Sequence, residues 1–156
     1  MKRIFTLLIF IALGASVFAQ TFSSVRPTLV LWNADGQKVT VLKGRYGITQ
    51  PSKLTLEMYF PASKLQYYAS KNLKLEFRWY YYLSTRKKLV QTDVVSIREA
   101  RVNSQGTFRI SSSLSGVQPG WWEVYVVASI DNKPVALGRT YKYQVFIKKK
   151  TSPSRG

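Results

Sequence analysis

The chain contains no cysteine and no histidine. Without cysteine, no disulfide can staple the fold and no lipid can be attached to an N-terminal thiol. Without histidine, it lacks the side chain best suited to moving protons near neutral pH, which is also the commonest metal ligand. Together the two absences exclude Ser-His-Asp triads, Cys-His pairs and ordinary zinc sites. Acidic residues are scarce, seven against 24 lysines and arginines, for a formal net charge of +17. Long apolar runs are scarce as well. The run from Ile4 to Leu13 falls short of the ~20 residues that a membrane-spanning helix requires.

That short run has a specific context. Lys2 and Arg3 precede it, and Val17-Phe18-Ala19 presents side chains that a signal peptidase reads just before Gln20. Basic start, apolar centre and small-residue end are the parts of a secretory signal peptide. The expected organisation is a signal at 1–19, one domain over 20–147 and a basic tail at 148–156, Lys148-Lys149-Lys150 with Arg155. The product is then exported, to a periplasm or to the outside of the cell. Once Lys2 and Arg3 are removed, 22 basic residues face seven acidic ones, and such a surface attracts polyanions within about 8–10 Å. Outside the cytoplasm the expected partner is an envelope protein or an anionic envelope polymer. Nucleic acid fits the charge but not the compartment.

Alternation with period two runs through the mature chain, the pattern of half-buried strands. Leu54, Leu56, Met58 and Phe60 share one face, as do Leu73, Leu75, Phe77, Trp79, Tyr81 and Leu83 in the longest run. Trp122, Val124, Val126, Ala128 and Ile130 form a third inward face, and Val135 to Ile147 a fourth strand. Turn residues separate the runs: Asn33-Ala34-Asp35-Gly36, Asn103-Ser104-Gln105-Gly106, Gln118-Pro119-Gly120 and Asp131-Asn132-Lys133-Pro134. Arg86-Lys87-Lys88 reads as the tip of a further hairpin. The stretch 62–71, introduced by Pro61, loses alternation and reads as one short helix or an ordered loop. The expected fold is all-β, an antiparallel two-sheet sandwich of about seven to nine strands. A small closed barrel is the rival.

The second half has a further rhythm. Aromatics around Trp79 are followed by Phe108-Arg109-Ile110, the Pro119-Gly120 turn, Trp122-Glu123-Val124-Tyr125-Val126, and a last strand ending in Val145-Phe146-Ile147. This stretch, about 73 to 148, resembles the immunoglobulin-like and fibronectin-III-like sandwich modules of exported bacterial envelope proteins. The resemblance implies a scaffold or recognition module and brings no catalytic residues or cofactor with it. The cysteine pair of antibody-type domains is absent.

Three constellations bear on chemistry. Ser84-Thr85-Arg86-Lys87 has Ser-x-x-Lys spacing, but it falls in a basic hairpin rather than at the start of a buried helix. The acids are Asp35, Glu57, Glu76, Asp93, Glu99, Glu123 and Asp131. A carboxylate pair among them would run a small hydrolase. Asp35 and Asp131 sit in turns, while Glu57, Glu76 and Glu123 are expected to face outward and pair with Lys or Arg across the ladder. The outward side of the longest strand is the binding candidate. Lys74, Arg78, Tyr80 and Tyr82 alternate there, and Trp121 points outward from its own strand. Tyr59 and Tyr125 share the outward register, whereas the facing of Tyr141 and Tyr143 stays open. Aromatic faces stack on sugars and Arg offers a fork of donors, so a carbohydrate- or peptidoglycan-binding module stands beside the anionic-partner reading. No metal and no cofactor are expected. The edges of a sandwich also offer assembly through strand addition.

Overall fold

The computed structural model describes residues 25–42, 47–135 and 141–149. The expected signal at 1–19 and the tail beyond Lys149 lie outside these residues. Among the described residues ten strands form: β1 (Arg26–Trp32), β2 (Lys38–Leu42), β3 (Gly47–Thr49), β4 (Lys53–Pro61), β5 (Lys74–Leu83), β6 (Arg86–Ser96), β7 (Thr107–Ser115), β8 (Gly120–Ile130), β9 (Lys133–Val135) and β10 (Tyr141–Lys148). They make two sheets. One has the order β2-β1-β4-β7, and the other β3-β10-β8-β5-β6 with β9 also paired to β8. The fold is therefore an all-β two-sheet sandwich with open edges rather than a closed barrel. All pairs are antiparallel except β3 with β10, which is parallel.

The inward residues are those the alternation selects. Leu54, Leu56, Met58 and Phe60 of β4 are fully buried, facing Leu75, Phe77 and Trp79 of β5 and Trp122, Val124, Val126 and Ala128 of β8. Trp79 carries the largest fully buried side chain. Its indole N–H donates to Ser112 Oγ at 2.7 Å, reaching from the six-stranded sheet into β7 of the other. Trp122 donates to the carbonyl of Gln118 at 2.8 Å, so both buried indoles satisfy their polar edge. Tyr141 is buried, and Tyr143 lies on the same side, donating to the Pro27 carbonyl at 3.2 Å. These two tyrosines therefore belong to the interior, not to the outer surface. The inward pattern of β5 stops early, since Leu83 is 55% exposed.

Local chemistry places the turns. Asn33 to Gly36 closes the β1–β2 hairpin, with Gly36 at φ +76°. Asn103 Oδ1 accepts from the N–H groups of Gln105 and Thr107, holding the turn before β7. The stretch after Pro61 forms a 3-10 turn, Ala62–Lys64, and then one short helix, α1 (Leu65–Ser70), whose Tyr68 is buried.

Three expectations are corrected. The β5–β6 hairpin turns at Ser84-Thr85, with Ser84 at φ +55°, so Arg86, Lys87 and Lys88 open β6 instead of capping the turn. The single strand expected over 135–147 is described as two segments, β9 and β10, which both pair with β8, and β9 already starts at Lys133, after a tight turn in which Asp131 and Asn132 take positive φ. The strand count rises to ten because β3 is only three residues long, too short to show a period.

Gly120 begins β8 at φ +129°, and a Cβ there would lie 2.6 Å from the Tyr81 hydroxyl oxygen. That hydroxyl donates to the Pro119 carbonyl at 2.7 Å, fixing the turn into β8. Gly120→Ala should therefore combine backbone strain with a steric clash and lower stability by about 1–3 kcal/mol. Urea unfolding checks this, and an unchanged midpoint would contradict the assignment.

Candidate functional site

The outward face of the six-stranded sheet is assembled from four strands. β5 contributes Lys74, Glu76, Arg78, Tyr80 and Tyr82. In cross-strand register, Arg78 lies opposite Tyr125 and Tyr80 opposite Glu123 on β8. On the far side of β8, Lys142 lies opposite Tyr125, Gln144 opposite Glu123 and Phe146 opposite Trp121. Beyond β5, Lys87 of β6 lies opposite Tyr82. Alternation chooses which side chains leave the core, and the strand order then makes neighbours of residues up to 62 positions apart.

Glu123 sits at the centre, with its side chain fully buried. Lys87 Nζ lies 3.1 Å from Oε1, and Lys142 Nζ 3.0 Å from Oε2. The Tyr82 hydroxyl donates to Oε2 at 2.8 Å, and the Gln144 amide donates to the same oxygen. Burial alone would raise the carboxyl pKa. The donors from Lys142, Tyr82, Lys87 and Gln144 outweigh it and hold the group at about 2 rather than 4.5. The partners shift the other way, since hydrogen bonding to Glu123 holds Tyr82, Lys87 and Lys142 above their ordinary values. One carboxylate thus anchors two ammonium groups, leaving the cluster with one net positive charge.

The aromatic residues form a floor for these cations. Lys87 Nζ stands 4.6 Å from the Tyr80 ring centre and 4.8 Å from that of Tyr125, while Lys142 Nζ is 5.4 Å from Tyr125. The two tyrosines meet edge to face at 6.2 Å. Trp121 is 42% exposed and packs against Phe146 at 5.3 Å, at the end of the face.

Of the residues singled out by sequence, Tyr80 and Tyr82 enter this cluster. Arg78 borders it but bonds to Glu76 at 2.6 Å. Lys74 bonds to Asn132 at 2.9 Å and lies eight residues from Tyr82 along β5, roughly 26 Å at a strand's rise. Trp121 packs against Phe146. Lys87, Lys142, Gln144 and Phe146 were not legible as members. Lys87 fell in the expected hairpin tip and the facing of the 135–147 strand was open, so neither their orientation nor the strands beside β8 could be read from sequence.

The expected outward glutamates do pair with cations. Glu57, buried on the outer face of the other sheet, takes Arg109 at 2.8 Å, Lys38 at 3.5 Å and the Tyr59 hydroxyl at 2.7 Å. Burial, followed by the bond to Glu57, raises the Tyr59 pKa. Glu76 departs from the expectation, because its partner Arg78 is on the same strand. Two open clefts lie among the described residues, the first of them against Tyr59 and Arg109 of the Glu57 network. One, about 520 Å³, is bordered by Tyr59, Glu99, Arg101 and Arg109. The other, about 310 Å³, lies where β6 and β7 part. Neither is lined by two carboxylates. Ser84 and Lys87 make no nucleophile–base pair: Lys87 bonds to Glu123 and its side chain is 41% exposed.

A carboxyl whose pKa is depressed in the folded state stabilises above its unfolded value and loses that contribution as pH falls. For Glu123 the loss runs from about pH 4.5 down to about pH 2. Glu123→Gln should flatten the fall in stability over that window and lower stability at pH 7 by about 1–3 kcal/mol, the scale of charge-assisted hydrogen bonds. Chemical denaturation at stepped pH checks both. An acid limb as steep as that of the unmodified protein would show that other carboxyls carry it.

No protein-family model matches the chain, and no curated protein matches it by sequence. Among solved structures, the extracellular domain of the hybrid two component system BT3049 from B. thetaiotaomicron overlays with a TM-score of 0.44 at 13% identity, over 81% of this chain. The chain spans only 15% of the length of that structure. A chain from work on multimeric cell-adhesive interactions of VGSC beta subunits overlays with a TM-score of 0.39 at 15% identity, covering 73% of this chain and 98% of that one. The CooA pilin subunit from enterotoxigenic Escherichia coli gives 0.31 at 8% identity, covering 81% and 99%. The sandwich assignment rests on the strand pairing described above and not on these overlays.

Proposed function

We propose that this protein is an exported, non-enzymatic binding module of the cell envelope whose partner is anionic, and that the outer face of the six-stranded sheet is its contact surface. Lys74, Arg78, Tyr80, Tyr82 and Trp121 border that surface, together with Lys87, Lys142 and Phe146. The observation that carries the reading is the Glu123 cluster. Its cations are held in place over tyrosine rings and exceed the single carboxylate that positions them. Held cations lose less side-chain entropy when a ligand arrives, which favours recognition over diffuse attraction.

The wider surface supports the same reading. Seventeen lysines and arginines fall within the described residues. Five of them, Lys38, Arg78, Lys87, Arg109 and Lys142, bond to carboxylates, leaving twelve without one. Glu57 and Glu123 are buried beneath their own partners, so little negative charge reaches solvent from either outer face. No helix among the described residues is long and apolar enough to cross a membrane. Sugar stacking is the weaker reading for the central tyrosines, since Lys87 occupies the faces of Tyr80 and Tyr125 and a ring would have to displace it.

Retention on immobilised dextran sulfate tests this. Binding should fall steeply between 50 and 300 mM salt, as screening demands. Lys74→Gln combined with Arg78→Gln removes two cations from the face without touching Glu123, and should weaken binding by about tenfold at fixed salt. Lys64→Gln with Lys71→Gln removes the same charge beside α1 and should change binding by less than about twofold. Equal losses in the two variants would mean that net charge, not this face, does the binding.

A further inference from the structure

β6 ends the six-stranded sheet, and among the described residues no strand pairs with its outer side. An edge of eleven residues is long, and exposed edges are usually blunted by charge, proline or brevity. This one has a basic start, Arg86-Lys87-Lys88, and a bulge at Val90, yet it also exposes Leu89, Val90 and Val94, with Leu83 across the hairpin. These four are half of the eight large apolar side chains exposed among the described residues, each 48–62% accessible. The turn at Ser84-Thr85 has two residues, so Leu83 and Arg86 form the hydrogen-bonded pair beside it. Pairing then alternates down the hairpin, and the N–H and C=O groups of Lys87 and Leu89 point away from β5. A bulge at Val90 ends this regular stretch.

Beside the same residues the two sheets part. Tyr81, Leu83, Leu89, Val90 and Trp122 line the cleft of about 310 Å³. Further along β6 the sheets are tied together: Gln91 donates to the Ser113 carbonyl at 2.9 Å, and Ser112 hydrogen-bonds to Asp93. The opening is therefore confined to the hairpin end. Its charge is one-sided, because Arg86, Lys87 and Lys88 lead β6, Lys88 lines the cleft and no carboxylate does.

We infer that this edge is a docking site for an extended, acidic segment of a partner protein, added to the sheet as a strand beside Lys87 and Leu89. Its backbone pairs with the four outward groups, an apolar side chain enters the cleft, and carboxylates meet Arg86 and Lys88. Main-chain bonds supply affinity in this mode, and alternate side chains supply specificity. A second copy of the chain is a poorer occupant, since it brings the same basic triplet and a net charge of +17 to a basic edge. The inference does not depend on the outer-face reading, because it uses the main chain of Lys87, whose side chain alone belongs to the Glu123 cluster, and a cleft that no residue of that cluster lines.

Three labelled ten-residue peptides test it: alternating valine and glutamate, alternating valine and lysine, and the glutamate peptide N-methylated at every second amide. The glutamate peptide should bind by fluorescence anisotropy and slow amide exchange at Lys87 and Leu89 by about tenfold or more. The lysine and N-methylated peptides should bind at least about tenfold more weakly, as should the glutamate peptide to Leu89→Glu, an exposed substitution whose folding a thermal melt confirms. The Lys74→Gln, Arg78→Gln variant should bind it unchanged, so failure of the outer-face reading leaves this one standing. Equal binding of the glutamate and lysine peptides, protection confined to other strands, or a dimer that already protects Lys87 and Leu89 in the protein alone would each overturn the proposal.

Discussion

The two layers are held in register at Trp79. Its ring lies in the core of one sheet while its N–H reaches Ser112 in the other. Ser112 in turn hydrogen-bonds to Asp93 of β6, and Gln91 clamps both Asp93 and the Ser113 carbonyl. An indole, a hydroxyl, a carboxylate and an amide thus form one chain of bonds across the side where both sheets end. A buried N–H needs such a partner, because leaving it unmet costs about 1–3 kcal/mol. That requirement selects one stacking of β6 on β7 from the many that apolar contact alone would allow. Past Gln91, nothing in the described residues continues the tie, and the sheets separate into the cleft beside Leu89.

The outer faces repeat one device. Each carries a buried glutamate on a central strand, Glu57 on β4 and Glu123 on β8, and each glutamate gathers two cations and a tyrosine hydroxyl. A carboxylate with only one partner would be expensive to bury. Surrounded by four or more donors in all, as Glu123 is, it stays ionised and orients its neighbours. In a protein with few acids, placing two of them beneath lysine and arginine stems removes negative charge from the surface. Their cations, meanwhile, stay at the boundary with water, with side chains 37–53% accessible.

Reading from sequence reached the fold through side-chain period, and the period succeeded wherever strands were long. The inward sets of β4, β5 and β8 were legible residue by residue, as was the short helix after Pro61. The period misled at strand ends, where burial stops before alternation does, as at Leu83. It was silent for β3, whose three residues pair in parallel with β10 by virtue of position alone. Outward placement of Tyr80, Tyr82, Glu123 and Trp121 was legible for the same reason as the core. Membership of the cluster was not, because Lys87, Lys142 and Gln144 reach Glu123 from strands that are distant along the chain.

The sequence by itself determined which side of the long strands β4, β5 and β8 meets water, where most of the turns fall, and that the chain is strongly cationic. It also excluded histidine and cysteine chemistry outright. These are local properties, governed by φ/ψ preferences, side-chain period and composition. Strand order was decided only in three dimensions, and with it which cations share Glu123, which tyrosines lie beneath Lys87, and where the sheets separate. The physical reason is that such contacts depend on which strands become neighbours. That choice is made by packing the whole core around Trp79 and satisfying its buried polar groups, and no short segment of the chain encodes it.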